Sequence, residues 1–208
     1  MAFLDRMPRR ILLVRHCQSQ ANAEGRIEGR GDSPLSEEGQ RQAEAVAAFF
    51  AAQAIGEATL IASSQARAIA TAAAIGAACG WTTAAHDHRI REGELGWMED
   101  LSYIEVGRHM RERGATVLDA ELHGGESLDT VAGRFWEALD EAAASAGDGA
   151  LVIVSHGYAI QALLRRLTAE ALPPSFLGNG DVVELWLEAG ALAEPLKFYP
   201  LKPAHAPA

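Results

Sequence analysis

Three short apolar runs, each cut off abruptly by polar residues, do most to limit what this chain can fold into. Ile11–Val14 runs into Arg15-His16-Cys17, Leu60–Ala62 into SSQAR at 63–67, and Leu151–Val154 into Ser155-His156-Gly157. Apolar residues without alternation mark strands covered on both faces. Helical segments separate them. Ser36 reads as an N-cap with Gly39 three residues on, Glu37 and Glu38 suit the positive helix end, and Ala43, Val46, Ala47 and Phe50 form a stripe reaching about Ala54. An Ala-rich helix capped by Ser63 or Ser64 is expected to end at Gly80. Ser127 starts a helix carrying Leu128, Val131, Phe135 and Leu139 on one face, and Ala159–Leu167 is another, broken by the proline pair at 173–174. Thr82–His88 and Val182–Leu187 complete the expected strands. This alternation predicts an α/β fold, a three-layer α/β/α sandwich around a mostly parallel sheet. Sites in such sheets form beyond the carboxyl ends of the strands, where the polar clusters lie.

The segment 93–124 breaks the rhythm. It is charged and Gly-bearing, with a helical piece near Leu101–Arg113. It is expected to be a small helical insertion over the active-site end of a single domain spanning 1–208. The tail from Pro195, with Pro200, Pro203 and Pro207, is expected to fray.

A net charge of −10 argues against a broad nucleic-acid surface but leaves room for a local basic pocket. Cys17 and Cys79 are the only cysteines, which is neither a disulfide framework nor a metal-type spacing. No apolar run reaches membrane-spanning length, and the start MAFLDRMPRR lacks the apolar core of a signal peptide. A cytoplasmic protein without membrane or nucleic-acid partners is expected, and a homodimer is compatible with the chain.

RHCQSQAN at 15–22 resembles the RHG-x-S-x-x-N signature of the histidine phosphatase superfamily, the phosphoglycerate mutase-like family. DSPLSEEGQRQA, SSQARAIATA, REGELGWMED, HGGES and VSHG resemble its later blocks in order, so the likeness extends along nearly the whole chain. The resemblance implies His16 as a phosphohistidine nucleophile, with Arg15, Arg67 and His156 around the phosphate and Asn22 near the substrate. It implies Glu92 as the acid/base that protonates the departing oxygen and then activates water.

The residue types suit that chemistry. Phosphoryl transfer needs an in-line nucleophile and cations on the equatorial oxygens. His16 is a neutral nucleophile if an acceptor holds its other nitrogen. Arg15 and Arg67 offer permanent charge in planar donor forks. Ser19 and Asn22 add neutral donors. Glu94 rivals Glu92, because residues two apart on an extended segment face one side. The GGES stretch at 124–127 reads either as a helix start or as part of the phosphate site. His86 and His88 form an H-x-H pair, but spacing offers no third ligand, and no metal or cofactor is expected.

Three positions depart from the family pattern. Cys17 replaces the usual Gly and, as a thiol beside a cationic site, is expected to be oxidisable. Gln65 replaces a common proline and is expected to loosen the turn carrying Arg67. Glu28 stands where Gln is common and would repel phosphate unless Arg26, Arg30 or a cationic substrate neutralises it. Glu28 is therefore expected to tune substrate choice. The expected function is a metal-independent phosphomonoesterase acting on a small phosphate ester. The alternatives are a phosphoglycerate mutase, to which Arg108, Arg111 and Arg113 could lend a second anion site, and a non-catalytic phosphate-ligand-binding regulator on the same fold.

Overall fold

The computed structural model describes residues 9–146, 148–169 and 177–201. Its strands are β1 (Arg9–Arg15), β2 (Ala58–Ser63), β3 (Thr83–Asp87), β4 (Ala150–Ser155), β5 (Val182–Glu188), β6 (Ala191–Leu192) and β7 (Lys197–Tyr199). Its helices are α1 (Gln20–Ala23), α2 (Glu37–Ala52), α3 (Ala66–Cys79), α4 (Tyr103–Arg113), α5 (Leu128–Ser145) and α6 (Gly157–Thr168). The proline pair at 173–174, the first eight residues, Pro203 and Pro207 lie outside the described residues.

The sheet order is β3-β2-β4-β1-β5-β6, with β7 also on β5. From β3 to β1 every pairing is parallel, and every pairing of β5 is antiparallel. The sheet is thus mixed, and the expectation of a mostly parallel one describes only the half that holds β1. Residues 189 and 190 join β5 to β6 with positive φ at both Ala189 (51°) and Gly190 (76°). That is the hairpin geometry a two-residue turn requires, written without the usual Asn-Gly or Asp-Gly signal.

β1 is covered on both faces, which explains its unbroken apolar run. Ile11 and Leu13 join a core with Phe135 and Leu139 of α5 and Leu163 of α6. Leu12 and Val14 face the other way, against Val46 and Phe50 of α2 and Ala72 and Ile75 of α3. Full burial of each such side chain stabilises the fold by roughly 1.5–3 kcal/mol. The three-layer arrangement follows from this two-sided demand.

The tail does not fray where it was expected to. Lys197–Tyr199 pairs with Glu184–Val182, the Tyr199 hydroxyl donates to Glu184 Oε2 at 2.9 Å, and the Tyr199 ring lies 5.1 Å from that of Phe49. The start of α3 also differs from expectation. Gln65 occupies the N-cap position, and Asp32 from a distant loop accepts from the Ala66 N–H at 2.5 Å. Ser63 is engaged elsewhere. The segment 93–124 carries α4 between two short 3-10 turns, Gly96–Met98 and Val117–His123. Ser102 and Glu105 cap α4 reciprocally, and Val106 and Met110 bury its inner face.

Candidate active site

Strand register brings the polar clusters together. Arg15 pairs with Ser155 across β1 and β4, and Ala62 with Val154 across β2 and β4. The residues that follow each pairing, His16, His156 and Ser63, therefore emerge side by side. The His16 N–H continues the ladder by donating to Ser155 O at 2.8 Å. Arg67 enters from the first turn of α3 and is almost wholly buried.

The hydrogen bonds select the tautomer of His16. Its Nδ1 lies 2.8 Å from the Cys17 carbonyl, which can only accept, so Nδ1 carries the proton. Nε2 then keeps its lone pair, and it accepts from Arg67 Nε at 3.2 Å. Burial, followed by the charges of Arg67 and Arg15, holds the imidazole pKa well below its usual 6.5. The neutral ring thus sets an unprotonated nitrogen against a cation.

His156 is held neutral by the same causes, burial first and Arg67 next. Its ring centroid lies 5.0 Å from that of His16. Its Nε2 is 2.7 Å from Ser63 Oγ, while its Nδ1 is buried without a hydrogen-bond partner among the described residues. A Ser63 hydroxyl that donates to Nε2 leaves Nδ1–H as a free donor. Arg15 is similar: its Nη1 donates to the Leu177 carbonyl, and its buried Nε has no partner among the described residues. Two buried nitrogens without a partner among the described residues, Arg15 Nε and His156 Nδ1, thus lie near His16. Buried polar groups rarely go unpaired, and an oxyanion is the natural complement here.

Glu28 is neutralised by neither Arg26 nor Arg30. Its Oε1 lies 3.0 Å from Arg67 Nη1, with both side chains buried. It also accepts from Ser33 N at 2.6 Å, Ser33 Oγ at 2.7 Å and Ser19 Oγ at 2.6 Å. Ser19 is therefore not brought to the cavity. Its hydroxyl is committed to Glu28 and to capping α1 through Asn22 N. Losing one partner of a buried ion pair costs about 3–5 kcal/mol. Glu28→Gln is expected to lose roughly 3 kcal/mol of stability on that account. Bound inorganic phosphate would restore the missing charge beside Arg67. Thermal unfolding with and without phosphate checks this: phosphate should raise the Tm of Glu28→Gln more than that of the wild type.

Gln65 tightens the site where it was expected to loosen it. Its Nε2 donates to Gly29 O at 3.1 Å and Gly31 O at 2.9 Å. Arg67 donates to the same two carbonyls at 3.0 and 2.7 Å. Gln65 Oε1 then accepts from Glu92 N at 2.8 Å. One side chain thus ties the Gly29–Gly31 loop to the backbone of Glu92. Gln65→Leu leaves the Glu92 N–H unpaired and frees that backbone. A misplacement of about 1 Å can cost up to roughly 10²-fold. Steady-state kinetics on the variant should show lower kcat with little change in KM.

Glu92 and Glu94 diverge. Glu92 lines the cavity, whereas Glu94 turns outward to pair with Arg30. The Glu92 carboxylate accepts from Gly93 N at 3.1 Å, Ala159 N at 3.0 Å and Tyr158 N at 3.3 Å, the last two in the first turn of α6. Burial nonetheless raises its pKa above the usual 4.5, outweighing Arg67 and those donors. The backbone around it is braced by Arg134, which donates to the carbonyls of Arg89, Arg91 and Glu92 and pairs with Glu126 at 3.0 Å. The GGES stretch is therefore a helix start and a brace, since Glu126 also accepts from Glu94 N. Arg134 carries no sequence signal beyond an Arg on a helix.

The cavity above His16 is about 540 Å³. Asn22 lines it, donating to Tyr103 Oη at 3.2 Å and accepting from Asn179 Nδ2 at 3.1 Å. Asn179, missed in the sequence because GNGD reads as a plain turn, also donates to the His16 carbonyl at 3.1 Å. Cys17 does not line the cavity. Its side chain packs with Leu12, Val14 and Val46, it is fully buried, and burial raises its thiol pKa to about 12. A protonated, enclosed thiol is inert, so the expected oxidation sensitivity falls away. Its φ is not positive, so the backbone does not demand Gly there. The Cys17 N–H donates to Thr71 Oγ1 at 3.0 Å, and that hydroxyl donates to Arg67 O at 2.8 Å. Thr71 thereby links the backbone next to His16 to that of Arg67. His86 and His88 are exposed. Among the described residues no group of three or more His, Cys, Asp or Glu could hold a metal ion, and no helix is long and apolar enough to cross a membrane.

Comparison with known proteins places the chain in a family. The probable phosphoglycerate mutase GpmB of Cronobacter sakazakii is 36% identical over 159 residues, 74% of this chain and 72% of the relative. A mycobacterial glucosyl-3-phosphoglycerate phosphatase, solved with VO3, is 27% identical and superposes with a TM-score of 0.74 over 91% of this chain and 97% of the other. The phosphoglycerate mutase of Bacillus anthracis shares the fold, with a TM-score of 0.74 at 21% identity over 91% and 92% of the two chains. The family profile of the histidine phosphatase superfamily (branch 1) matches residues 11–190, and the chain belongs to that family.

Proposed function

We propose that this protein is a phosphomonoesterase that works through a phosphohistidine on His16 and needs no metal. The observation that carries the reading is the tautomer of His16: a buried neutral imidazole whose Nε2 lone pair faces Arg67 at the cavity floor. Nε2 attacks phosphorus, the N–P bond forms and the P–O bond to the alcohol breaks. Glu92 gives its proton to the departing oxygen. The Glu92 carboxylate then takes a proton from water as that water's oxygen attacks phosphorus. The N–P bond breaks, phosphate leaves, and both residues return to their starting forms. Arg15, Arg67 and His156 hold the phosphoryl oxygens throughout, the work that cations and fixed dipoles do in phosphoryl transfer. Both cysteines are free, which suits the cytoplasm.

The name of the curated relatives supplies a second reading, a phosphoglycerate mutase. It uses the same first step and differs in the acceptor. A panel of phosphate esters with chelator present, run on wild type and His16→Ala, tests the proposal. Chelator-resistant release of phosphate that His16→Ala abolishes is the expected result. Interconversion of phosphoglycerates primed by a bisphosphate would favour the mutase. Ligand binding with no turnover on the whole panel would make the protein a regulator.

A further inference from the structure

The residues that line the cavity are of two kinds. Ile27, Leu95, Val117, Leu118 and Leu177 form its walls, and Asn22, Tyr103 and Asn179 contribute uncharged polar groups. Among the described residues that line it, Arg15 and Arg67 are the only cations, and both lie at the floor. Each is already engaged there, Arg67 with Glu28 and Arg15 with the Leu177 carbonyl. The nearby arginines are spent elsewhere. Arg26 pairs with Glu24 and Asp100, Arg30 pairs with Glu94, and Arg113 lies over the Trp97 ring in a separate cleft. Arg108 and Arg111, considered from the sequence as a second anion site, do not line the cavity either. The stretch 170–176 that precedes Leu177 contains no Lys, Arg or His.

A phosphoglycerate, or any ester with a second anionic group, would have to place that group among apolar side chains and uncharged polar groups, with no further cation among the described lining residues. Burying an unpaired carboxylate is strongly unfavourable. An aryl or alkyl group would gain from the same walls. Resting on the phosphomonoesterase reading, we infer that the substrates of this site are phosphate monoesters of uncharged, largely apolar alcohols, and that esters carrying a second anion are rejected.

A matched pair isolates the point: 4-ethylphenyl phosphate and 4-(carboxymethyl)phenyl phosphate share a leaving group of similar reactivity and differ in one carboxylate. The expected result is a kcat/KM about 10²-fold lower for the carboxylate ester. Leu118→Arg, which puts a cation on the wall, should narrow that ratio about tenfold by recovering the carboxylate ester. The wild-type ratio alone decides the matter if the variant does not fold. Equal use of both esters, or preference for the carboxylate ester or for 3-phosphoglycerate, would overturn the inference while leaving the phosphatase reading intact. Absence of turnover on every ester, with no acid-labile phosphoenzyme, would overturn that reading and this inference with it.

Discussion

His16→Ala is expected to lower kcat on an aryl phosphate by roughly 10⁴-fold or more, as removal of a covalent nucleophile does elsewhere. The size of the effect follows from how little else could substitute. His156 lies nearest, but its Nε2 is engaged by Ser63, and its free nitrogen is best matched to donating. The fold should survive the change. Arg67 keeps Gly29, Gly31 and Glu28 as partners, and the strand ladder uses only the His16 backbone. Circular dichroism and inorganic phosphate binding should therefore persist while turnover and phosphoenzyme vanish. Residual turnover within tenfold of wild type would remove His16 from the nucleophile role.

Glu92→Gln is expected to cost about 10²–10⁴-fold on an alkyl phosphate, the usual worth of a placed general acid. The loss should be smaller on 4-nitrophenyl phosphate, whose leaving group hardly needs a proton. Phosphoenzyme should then accumulate, because the amide cannot take the proton from water in the second step, and rapid acid quench would reveal it. The pH profile gives an independent check. His16 is held below 6.5, so its lone pair survives into mild acid and the acidic limb of kcat/KM lies below that value. Glu92 is raised above the usual 4.5, so its proton survives upward and the alkaline limb lies above that value. Glu92→Gln should abolish the alkaline limb and leave the acidic one. Loss of the acidic limb instead would exchange the two roles.

Much of this site was legible because its polar residues sit where buried strands stop. Arg15, His16 and His156 follow unbroken apolar runs, and the parallel register that gathers them follows from burial on both faces. Arg67 and Glu92 needed the family blocks as well, since one lies on an Ala-rich helix and the other in a charged loop. What stayed hidden was set by contacts between distant segments. The spacing of Glu92 and Glu94 does not say which turns inward; the pairing of Glu94 with Arg30 does. The role of Gln65 depends on carbonyls 34 and 36 residues away and on Glu92 N, 27 residues away. Cys17 was misread because sequence adjacency to His16 suggested the same environment, whereas the chain turns it into the core behind the cavity. The β5–β6 hairpin was missed because Ala189 carries the positive φ that Asn or Asp usually signals.

Among the described residues β1 is the one strand flanked by a parallel neighbour on one side and an antiparallel one on the other, β4 and β5. Its amides have no free edge from which to fray, and the ladder runs on into the His16 N–H. Opening free energies vary across a fold, and such central strands exchange amide hydrogens only near the global limit. In the segment from Tyr103 to His123 the buried residues are Val106, Met110 and Ala120, so a lower opening free energy is expected there. Opening of that segment, whose Tyr103, Val117 and Leu118 line the cavity, is therefore expected at a lower temperature than disruption of β1 and the His16 backbone.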